Sequence, residues 1–252
     1  MQDMKILFVG ESWTVQETHI KGFDSVDLGR LEQTTAGLVL DALDEAGIEV
    51  EYIPSHIAQY SFPETAEQLG EYDAIALSDI GSNTLMLDPV MQLQGKRKGN
   101  RLLACKEYVM NGGGLVMIGG YLSFAGIGNK ARYAMTPLAE VLPVEILHYD
   151  DRMEHPEGVR PEITLPGHPV LEGIDDKKWP YFLGYNKVRA KETADEIATI
   201  NGDTFMAAME FGKGRSFAFA SDCTFHWGSE EFLSWPYYRK LFGNIFLWLD
   251  KE

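Results

Sequence analysis

The pattern of this chain consists mainly of short, continuous apolar runs. Longer stretches of mixed polarity separate them. The clearest runs are residues 6–9 (ILFV), 74–77 (AIAL) and 115–118 (LVMI), and none of them contains a polar residue. Strands of a parallel sheet have continuous apolar sequences of this kind, because helices cover both of their faces. The pattern therefore predicts at least three buried strands of a parallel sheet.

Between and after these runs the spacing of apolar residues changes. Residues 31–46, 101–111 and 236–249 repeat apolar positions at the helical spacing of three to four, so each predicts a helix. Residues 205–211 and 215–221 instead alternate apolar and other side chains around a glycine-rich turn, which predicts an antiparallel hairpin.

Strands that alternate with helices predict an α/β fold with a mainly parallel central sheet and an antiparallel hairpin near the C-terminus. The chain has 252 residues, and we predict that residues 1–252 form a single domain. Residues at about 143–195 include many charged residues and several prolines, so we predict an irregular insertion there.

Composition narrows the function classes. The formal net charge is −16, which argues against nucleic-acid binding. No stretch approaches the roughly 18 apolar residues of a membrane span, and the first apolar run is too short for a signal peptide. The two cysteines lie far apart in sequence and suit a reducing compartment. We therefore expect a cytoplasmic protein without nucleic-acid or membrane partners.

The segment 112–126 (GGGLVMIGGYLSFAG) is the centre of the predicted sheet, where a strand ends in a glycine corner. Open α/β sheets bind ligands at the carboxyl ends of their strands, so polar residues after the strands are the candidates for a small-molecule site. The candidate ligand-binding residues are Glu11, Ser12, Trp13, Asp79, Asn83, Gly119, Gly120, Tyr121, Ser123 and Trp227.

Cys223 and His226 form the most reactive pairing in the sequence, and they follow the second hairpin strand. A thiolate needs a neighbouring base or cation to form near neutral pH, and Asp222 or Glu11 could orient the imidazole. The candidate catalytic residues are therefore Cys223, His226 and Asp222; the alternative is that Cys223 only fills the core.

Cofactor and metal motifs are absent from the sequence. There is no P-loop and no Gly-x-Gly-x-x-Gly after a strand, so we predict no nucleotide cofactor. His19, Asp79, Asp222 and His226 are suitable metal ligands by residue type, but their spacing matches no metal motif. We therefore predict no metal site and no cofactor.

Six blocks of the sequence together resemble a known family. They are GESW, HIKGFD, SDIGSNT, GGGLVMIGGYLSF, YDDRME and SDCTFHWG. The chain resembles the bacterial cytoplasmic proteins called putative glutamine amidotransferases, in the class I glutamine amidotransferase-like superfamily that includes trehalose-utilisation-type proteins. The resemblance covers about residues 4–249. It implies a flavodoxin-like three-layer α/β/α sandwich.

The sequence departs from the superfamily's catalytic motifs at two places. Class I amidotransferases carry a cysteine in a Gly-x-Cys-x-Gly corner, where this chain has Gly119 and Gly120. Their Phe-His-Pro-Glu motif corresponds to residues 225–228, so His226 is retained and Gly228 replaces the glutamate. Ordinary glutamine hydrolysis is therefore not expected at this corner.

Two functions follow as hypotheses. The first is an amidotransferase-like domain without the elbow cysteine that binds a small polar ligand, such as a sugar or an amide, at the carboxyl edge of the sheet. The alternative is a hydrolase or transferase that uses Cys223 and His226 in a rearranged site. A homo-oligomer is also expected from the resemblance, with the aromatic segment 232–238 as its candidate surface.

Overall fold

The computed structural model describes residues 4–32, 36–175 and 178–250. Within them the strands are β1 (Lys5–Gly10), β2 (Trp13–Lys21), β3 (Asp24–Glu32), β4 (Glu49–Pro54), β5 (Ala74–Ser78), β6 (Gly114–Ile118), β7 (Val144–Ile146), β8 (Arg152–Val159), β9 (Glu162–Ile163), β10 (Phe182–Asn186), β11 (Val188–Ala190), β12 (Asp195–Ile200), β13 (Asp203–Phe211) and β14 (Gly214–Phe219). The α-helices are α1 (Gly37–Glu45), α2 (Ser55–Ser61), α3 (Ala66–Leu69), α4 (Ser82–Met86), α5 (Pro89–Gln94), α6 (Arg101–Met110), α7 (Leu138–Val141), α8 (Glu230–Leu233) and α9 (Tyr238–Leu249).

A ten-stranded mixed sheet forms the middle layer. Its main path runs β4-β1-β5-β6-β14-β13-β11-β7, with β12 on β13 and β9 on β12. The strands from β4 to β14 along this path pair in parallel. β13 and β14 form the predicted antiparallel hairpin. The α/β fold with a mainly parallel sheet and this C-terminal hairpin is confirmed, as is its flavodoxin-like class.

The three layers follow from the alternation of side chains along each central strand. In β1, Ile6 and Phe8 point into a core beneath α1 and α9, whereas Leu7 and Val9 point into a second core on the opposite face, beneath α3 and α6. All four side chains are fully buried. Burial on both faces explains why the central strands are continuous apolar runs.

The N-terminal part of the chain differs from prediction. The helix expected over 31–46 occupies only Gly37–Glu45 as α1, and residue 31 belongs to β3. β2 and β3 form an antiparallel hairpin, Trp13 to Lys21 against Asp24 to Glu32. This hairpin was not predicted, because its residues of mixed polarity show neither a continuous apolar run nor a simple alternation.

The segment expected to be an irregular insertion contains regular structure. β7 and β11 extend the central sheet, while β8 and β10 form a separate two-stranded sheet. Each strand is short and partly polar, so none gave a strong sequence signal. The assignment of the whole chain to one domain stays a prediction.

Two C-terminal features complete the fold. α9 lies within the predicted helix 236–249 and buries Leu241, Phe242 and Ile245. The aromatic segment before it was expected at the surface, but Phe232 and Trp235 lie in the core, with 0% and 7% of their surface exposed. That choice of an assembly surface was therefore wrong. In the described part of the chain, no helix has the length and apolarity needed to cross a membrane.

Candidate ligand-binding site

A cavity of about 530 Å³ opens at the carboxyl edge of the parallel strands. The turns after β1, β5, β6 and β14 meet there, as predicted from the strand ends. The lining residues are Glu11, Trp13, Asp79, Tyr121, Leu122, Ile127, Lys130, Asp222, Thr224, Phe225 and His226.

Three of the residues that line this cavity have a strained backbone. Glu11, Asp79 and His226 have φ angles of 54°, 43° and 109°, on the positive side that side chains other than glycine rarely adopt. Each of these conformations costs about 1–3 kcal/mol and persists only where the surroundings impose it. The strain turns three polar residues towards one space, as is common at functional sites.

Glu11 follows β1 and is buried beneath the cavity floor. Its Oε1 accepts a hydrogen bond of 2.5 Å from Ser78 Oγ, and its Oε2 accepts one of 3.4 Å from Thr224 Oγ1. The Cys223 Sγ atom lies 3.7 Å from Glu11 Oε1. Hydroxyl donors therefore hold the carboxylate in place at the base of the site.

Asp79 follows β5 and fills the space beside the glycine corner. Its Oδ1 accepts a hydrogen bond of 2.6 Å from the Leu122 backbone N–H. Burial, with a further contribution from the charge of Glu11, raises the pKa of Asp79 to about 6. The carboxylate is thus fixed at the cavity surface in an environment that disfavours its charge.

Asp222 and His226 lie next to each other on the loop after β14. Asp222 Oδ2 is 3.3 Å from His226 Nδ1, so Asp222, rather than Glu11, orients the imidazole. Burial raises the pKa of Asp222 well above its usual range, and the charge of Asp79 acts in the same direction. Partial burial lowers the pKa of His226. The imidazole is therefore mainly neutral near pH 7.

The structure does not place Cys223 beside His226 as a reactive pair. Cys223 is fully buried, and its sulfur contacts Glu11 and the Ser78 hydroxyl, 3.6 Å away. Burial raises the pKa of this thiol well above its ordinary value, and the charges of Glu11 and Asp222 add to the effect. A thiolate is disfavoured among carboxylates, so the predicted catalytic pairing lacks its electrostatic requirement.

The glycine corner is packed too tightly for a side chain. A Cβ placed on Gly120 would lie 2.8 Å from Asp79 Oδ1, and Gly120 has a φ of 142°. A Cβ on Gly119 would lie 2.8 Å from the backbone of Ala220 and from Asn186 Oδ1. The corner at Gly119 and Gly120 is therefore closed to any side chain in this structure.

Residues from the predicted insertion hold this corner in place. Asn186 accepts a hydrogen bond from the Gly120 N–H and donates one to the Gly120 carbonyl oxygen. Asn186 also donates to Asp151, which accepts hydrogen bonds of 2.9 Å from the Ala125 and Gly126 N–H groups. Sequence reasoning missed these roles; the only signal for Asp151 was its presence in the YDDRME block.

Aromatic side chains form the walls. The Tyr121 ring meets the His226 ring edge-on at 4.2 Å between centroids, and Trp13 is 44% exposed at the rim. Glu154 of β8 accepts hydrogen bonds from the Tyr121 hydroxyl and from Trp227 Nε1. Glu154 therefore positions the aromatic wall from outside and is a third residue, after Asn186 and Asp151, that sequence reasoning missed.

Six of the predicted ligand-binding residues lie outside the cavity lining. Ser12 is buried against His56, with 3.1 Å between its Oγ and the ring Nδ1. Asn83 is exposed on α4. Ser123 Oγ donates to the Ile118 carbonyl and accepts from the Asp79 N–H, whereas Trp227 is buried behind the wall. Gly119 and Gly120 shape the corner without lining the cavity.

Metal-ligand types do occur at the floor. One donor atom each from Glu11, Asp222 and Cys223 lies within 4.8 Å of the others. His19 does not join them, because it lies on β2, where its Nε2 is 3.3 Å from Glu17. In this structure Glu11 also accepts a hydrogen bond from Ser78, and Asp222 accepts one from the Thr224 backbone N–H.

The comparisons with known proteins agree with this fold. A family model described as "Putative glutamine amidotransferase" matches residues 5–251. The chain therefore belongs to this family of glutamine amidotransferase-like proteins, as the resemblance predicted. No curated protein matches the chain.

Two solved structures are similar over nearly the whole chain. The cytoplasmic protein STM3548 from Salmonella typhimurium is 46% identical, with a TM-score of 0.95 and coverage of 99% of this chain and 100% of its own. The cytoplasmic protein STM1381 from Salmonella typhimurium LT2 is 45% identical, with a TM-score of 0.93 and coverage of 98% and 100%. The predicted cytoplasmic location agrees with the descriptions of both relatives.

A more distant structure shares the fold alone. The thua-like protein from Parabacteroides merdae is 11% identical, with a TM-score of 0.58 and coverage of 99% of this chain and 91% of its own.

The packing of the glycine corner predicts a difference between two glycines. We expect Gly120→Ala to lower the free energy of unfolding by about 2–5 kcal/mol, since backbone strain adds to the clash with Asp79. Gly112 also has a positive φ, but a Cβ there meets nothing within 4 Å. Gly112→Ala should therefore lower the free energy of unfolding by only about 1–3 kcal/mol, because the substitution adds backbone strain but no clash. Denaturant unfolding measures both losses, and equal losses would contradict the clash.

The raised pKa of Asp79 predicts that its charge destabilises the fold. The folded protein binds this proton more tightly than the unfolded chain, so the contribution of Asp79 to stability falls as pH rises from about 4 to about 6. Asp79→Asn should therefore raise the free energy of unfolding by about 1–3 kcal/mol at pH 8, with a gain that shrinks towards pH 4.

The control for Asp79→Asn is a substitution at a carboxylate whose pKa is shifted in the opposite direction, downwards. Arg152 holds the pKa of Asp150 below its usual range, so Asp150→Asn should lower stability at pH 8. Urea unfolding of both variants at pH 8 and pH 5 makes the comparison. A loss of stability in Asp79→Asn at pH 8 would refute the predicted repulsion.

Both thiols should resist alkylation in the folded protein. Cys105 and Cys223 are fully buried, and burial raises the pKa of Cys105 to about 12. Iodoacetamide at pH 8, followed by peptide mass spectrometry, should modify both only after unfolding. Rapid modification of Cys223 alone in the folded protein would instead support thiol chemistry.

Proposed function

We propose that this protein is an amidotransferase-like domain without the elbow cysteine, and that its cavity binds a small polar ligand rich in hydrogen-bond donors. The observation that carries the proposal is the convergence of Glu11, Asp79 and Asp222 at one face of an aromatic-walled cavity.

The carboxylates set the polarity of the ligand. Carboxylate oxygens accept hydrogen bonds, so a cavity lined by Glu11, Asp79 and Asp222 favours hydroxyl, amide N–H or ammonium groups over anions. Burial of unpaired charge is costly, so donors from a ligand would relieve the repulsion between Asp79 and its neighbours. Sugars, amides and primary amines have the required donors.

The walls suit a ligand that also has an apolar face. Trp13, Tyr121 and Phe225 offer aromatic surface around the mouth. Such rings stack on the C–H face of a sugar or attract an ammonium group through the ring quadrupole. A cavity of about 530 Å³ lies in the usual range for small-molecule sites.

The alternative, a hydrolase or transferase, draws support from one contact only. Asp222 orients the imidazole of His226, which lines the cavity and could serve as a general base. The nucleophile assigned to that alternative, Cys223, has its pKa raised by burial and by nearby carboxylates. Ligand binding without thiol chemistry is therefore the better-supported proposal.

Ligand titration tests the proposed chemistry. Thermal unfolding and calorimetry with a hexose, a primary alkylamine and glutamine should show that at least one stabilises the protein, whereas the dianion succinate should not. Asp222→Asn should weaken that binding by about tenfold or more, because it replaces an accepting oxygen of the cavity with an N–H₂ donor.

The matched control is Glu157→Gln, an exposed carboxylate on β8 outside the cavity lining, and it should leave the affinity unchanged. Native mass spectrometry of freshly purified protein provides a second readout for a co-purified ligand. Binding of succinate in preference to every donor-rich compound would contradict the proposal.

A further inference from the structure

The cavity lining includes a lysine, Lys130, among its acidic and aromatic side chains. Lys130 directly follows the 3₁₀ turn Ile127–Asn129, in the loop after β6. Among residues 4–32, 36–175 and 178–250, no carboxylate forms an ion pair with its ammonium group. An ammonium group is a donor only, so this one is available to an anionic group of a ligand.

The positive charge and the carboxylates lie at different depths of the cavity. Glu11 and Asp222 are buried, with 1% and 4% of their surface exposed, whereas Lys130 is an exposed residue. The ammonium group therefore lies towards the solvent, and the acidic groups lie at the floor. A ligand that fills the cavity meets acceptors at one end and a cation at the other.

Hydroxyl groups suit the floor better than an ammonium group does. Burial raises the pKa of Asp79 to about 6 and the pKa of Asp222 well above its usual range, so these carboxyl groups retain protons more readily than exposed ones. A protonated carboxyl group donates a hydrogen bond, and an ionised one accepts. A hydroxyl pairs with either form because it both donates and accepts, whereas an ammonium group only donates.

We propose that the small polar ligand of this cavity is a sugar acid, a polyhydroxylated compound with one carboxylate. This inference rests on the proposed function, because it assigns the class of ligand to the same cavity. The hydroxyls bind Asp79 and Asp222 at the floor, and the carboxylate pairs with Lys130. The C–H face of the sugar packs on Trp13 and Phe225, which are 44% and 61% exposed at the mouth.

The acidity of the protein limits the ligand to one negative charge. The net charge of −16 and the carboxylates of the floor repel anions, and Lys130 supplies a single compensating charge in the cavity lining. A monoanion whose other polar groups are hydroxyls therefore fits better than a dianion. Succinate, which has two carboxylates and no hydroxyl, remains a negative control.

An α-amino acid is the competing class with one carboxylate. Its ammonium donors are all on one nitrogen, next to the carboxylate. The acidic groups of the floor come from three separate turns, with Glu11 after β1, Asp79 after β5 and Asp222 after β14. Hydroxyls spread along a carbon chain reach groups at several positions, so the sugar acid matches this arrangement more closely.

Calorimetry of the full chain with matched ligands tests the assigned class. The probes are D-glucuronate, D-galacturonate and D-gluconate, each compared with its own uncharged amide. At least one acid should bind about three- to tenfold more tightly than its amide, because an ion pair near the solvent contributes modestly to affinity. Binding of glutamine, an alkylamine or a neutral hexose in preference to every sugar acid would overturn this inference and leave the proposed function standing. Failure of every donor-rich compound to bind would overturn both.

A charge-removing variant tests the role of the lysine. Lys130→Met keeps the length of the side chain and removes its charge, so it should abolish the difference in affinity between the acid and its amide. The control is Lys213→Met, an exposed lysine in the turn before β14, at the opposite end of that strand from the cavity, and it should preserve the difference. A preference for the acid that persists in Lys130→Met would refute the proposed ion pair.

Discussion

The contact between the Asp79 carboxylate and the bare backbone of Gly120 governs the arrangement of the site. Asp79 Oδ1 occupies the space that a Cβ on Gly120 would need and accepts the Leu122 N–H. Asn186 braces the corner from the other side through two hydrogen bonds to Gly120. A carboxylate thus fills the volume that a side chain at position 120 would need.

The same contact explains why the cavity has an unfavourable electrostatic environment. Once Asp79 lies at the corner, it faces Glu11 and Asp222 at short range, and each raises the pKa of a neighbour. Strained backbone at Glu11 and Asp79 adds to the cost. A fold that retains such a cluster is less stable than it could be, as is common for proteins with functional sites. A donor-rich ligand would restore part of the lost free energy of unfolding.

The sequence was most informative where burial was complete. The central strands, α6 and the meeting of four strand ends all follow from apolar runs, helical spacing and the topology of parallel sheets. For the imidazole of His226 the sequence left two partners open, Asp222 or Glu11, and the structure pairs it with Asp222. Local signals of this kind are contained in short windows of sequence.

Long-range and partly exposed features could not be predicted in the same way. Asn186 meets Gly120 across 66 residues, and no local pattern marks such a partner. The burial of Cys223 among carboxylates depends on Glu11 from the other end of the chain. The β2–β3 hairpin gave no signal because neither of its faces is buried within the chain.

The packing at the glycine corner also makes positions 79 and 120 interdependent. A cysteine introduced at Gly120 would collide with Asp79, while shortening Asp79 alone would leave the Leu122 N–H without its acceptor. Because the two residues compete for one volume, the effect of a substitution at either position depends on the residue at the other. The corner is therefore a site of local epistasis: a coordinated change at both positions, and not one at position 120 alone, opens it to a side chain.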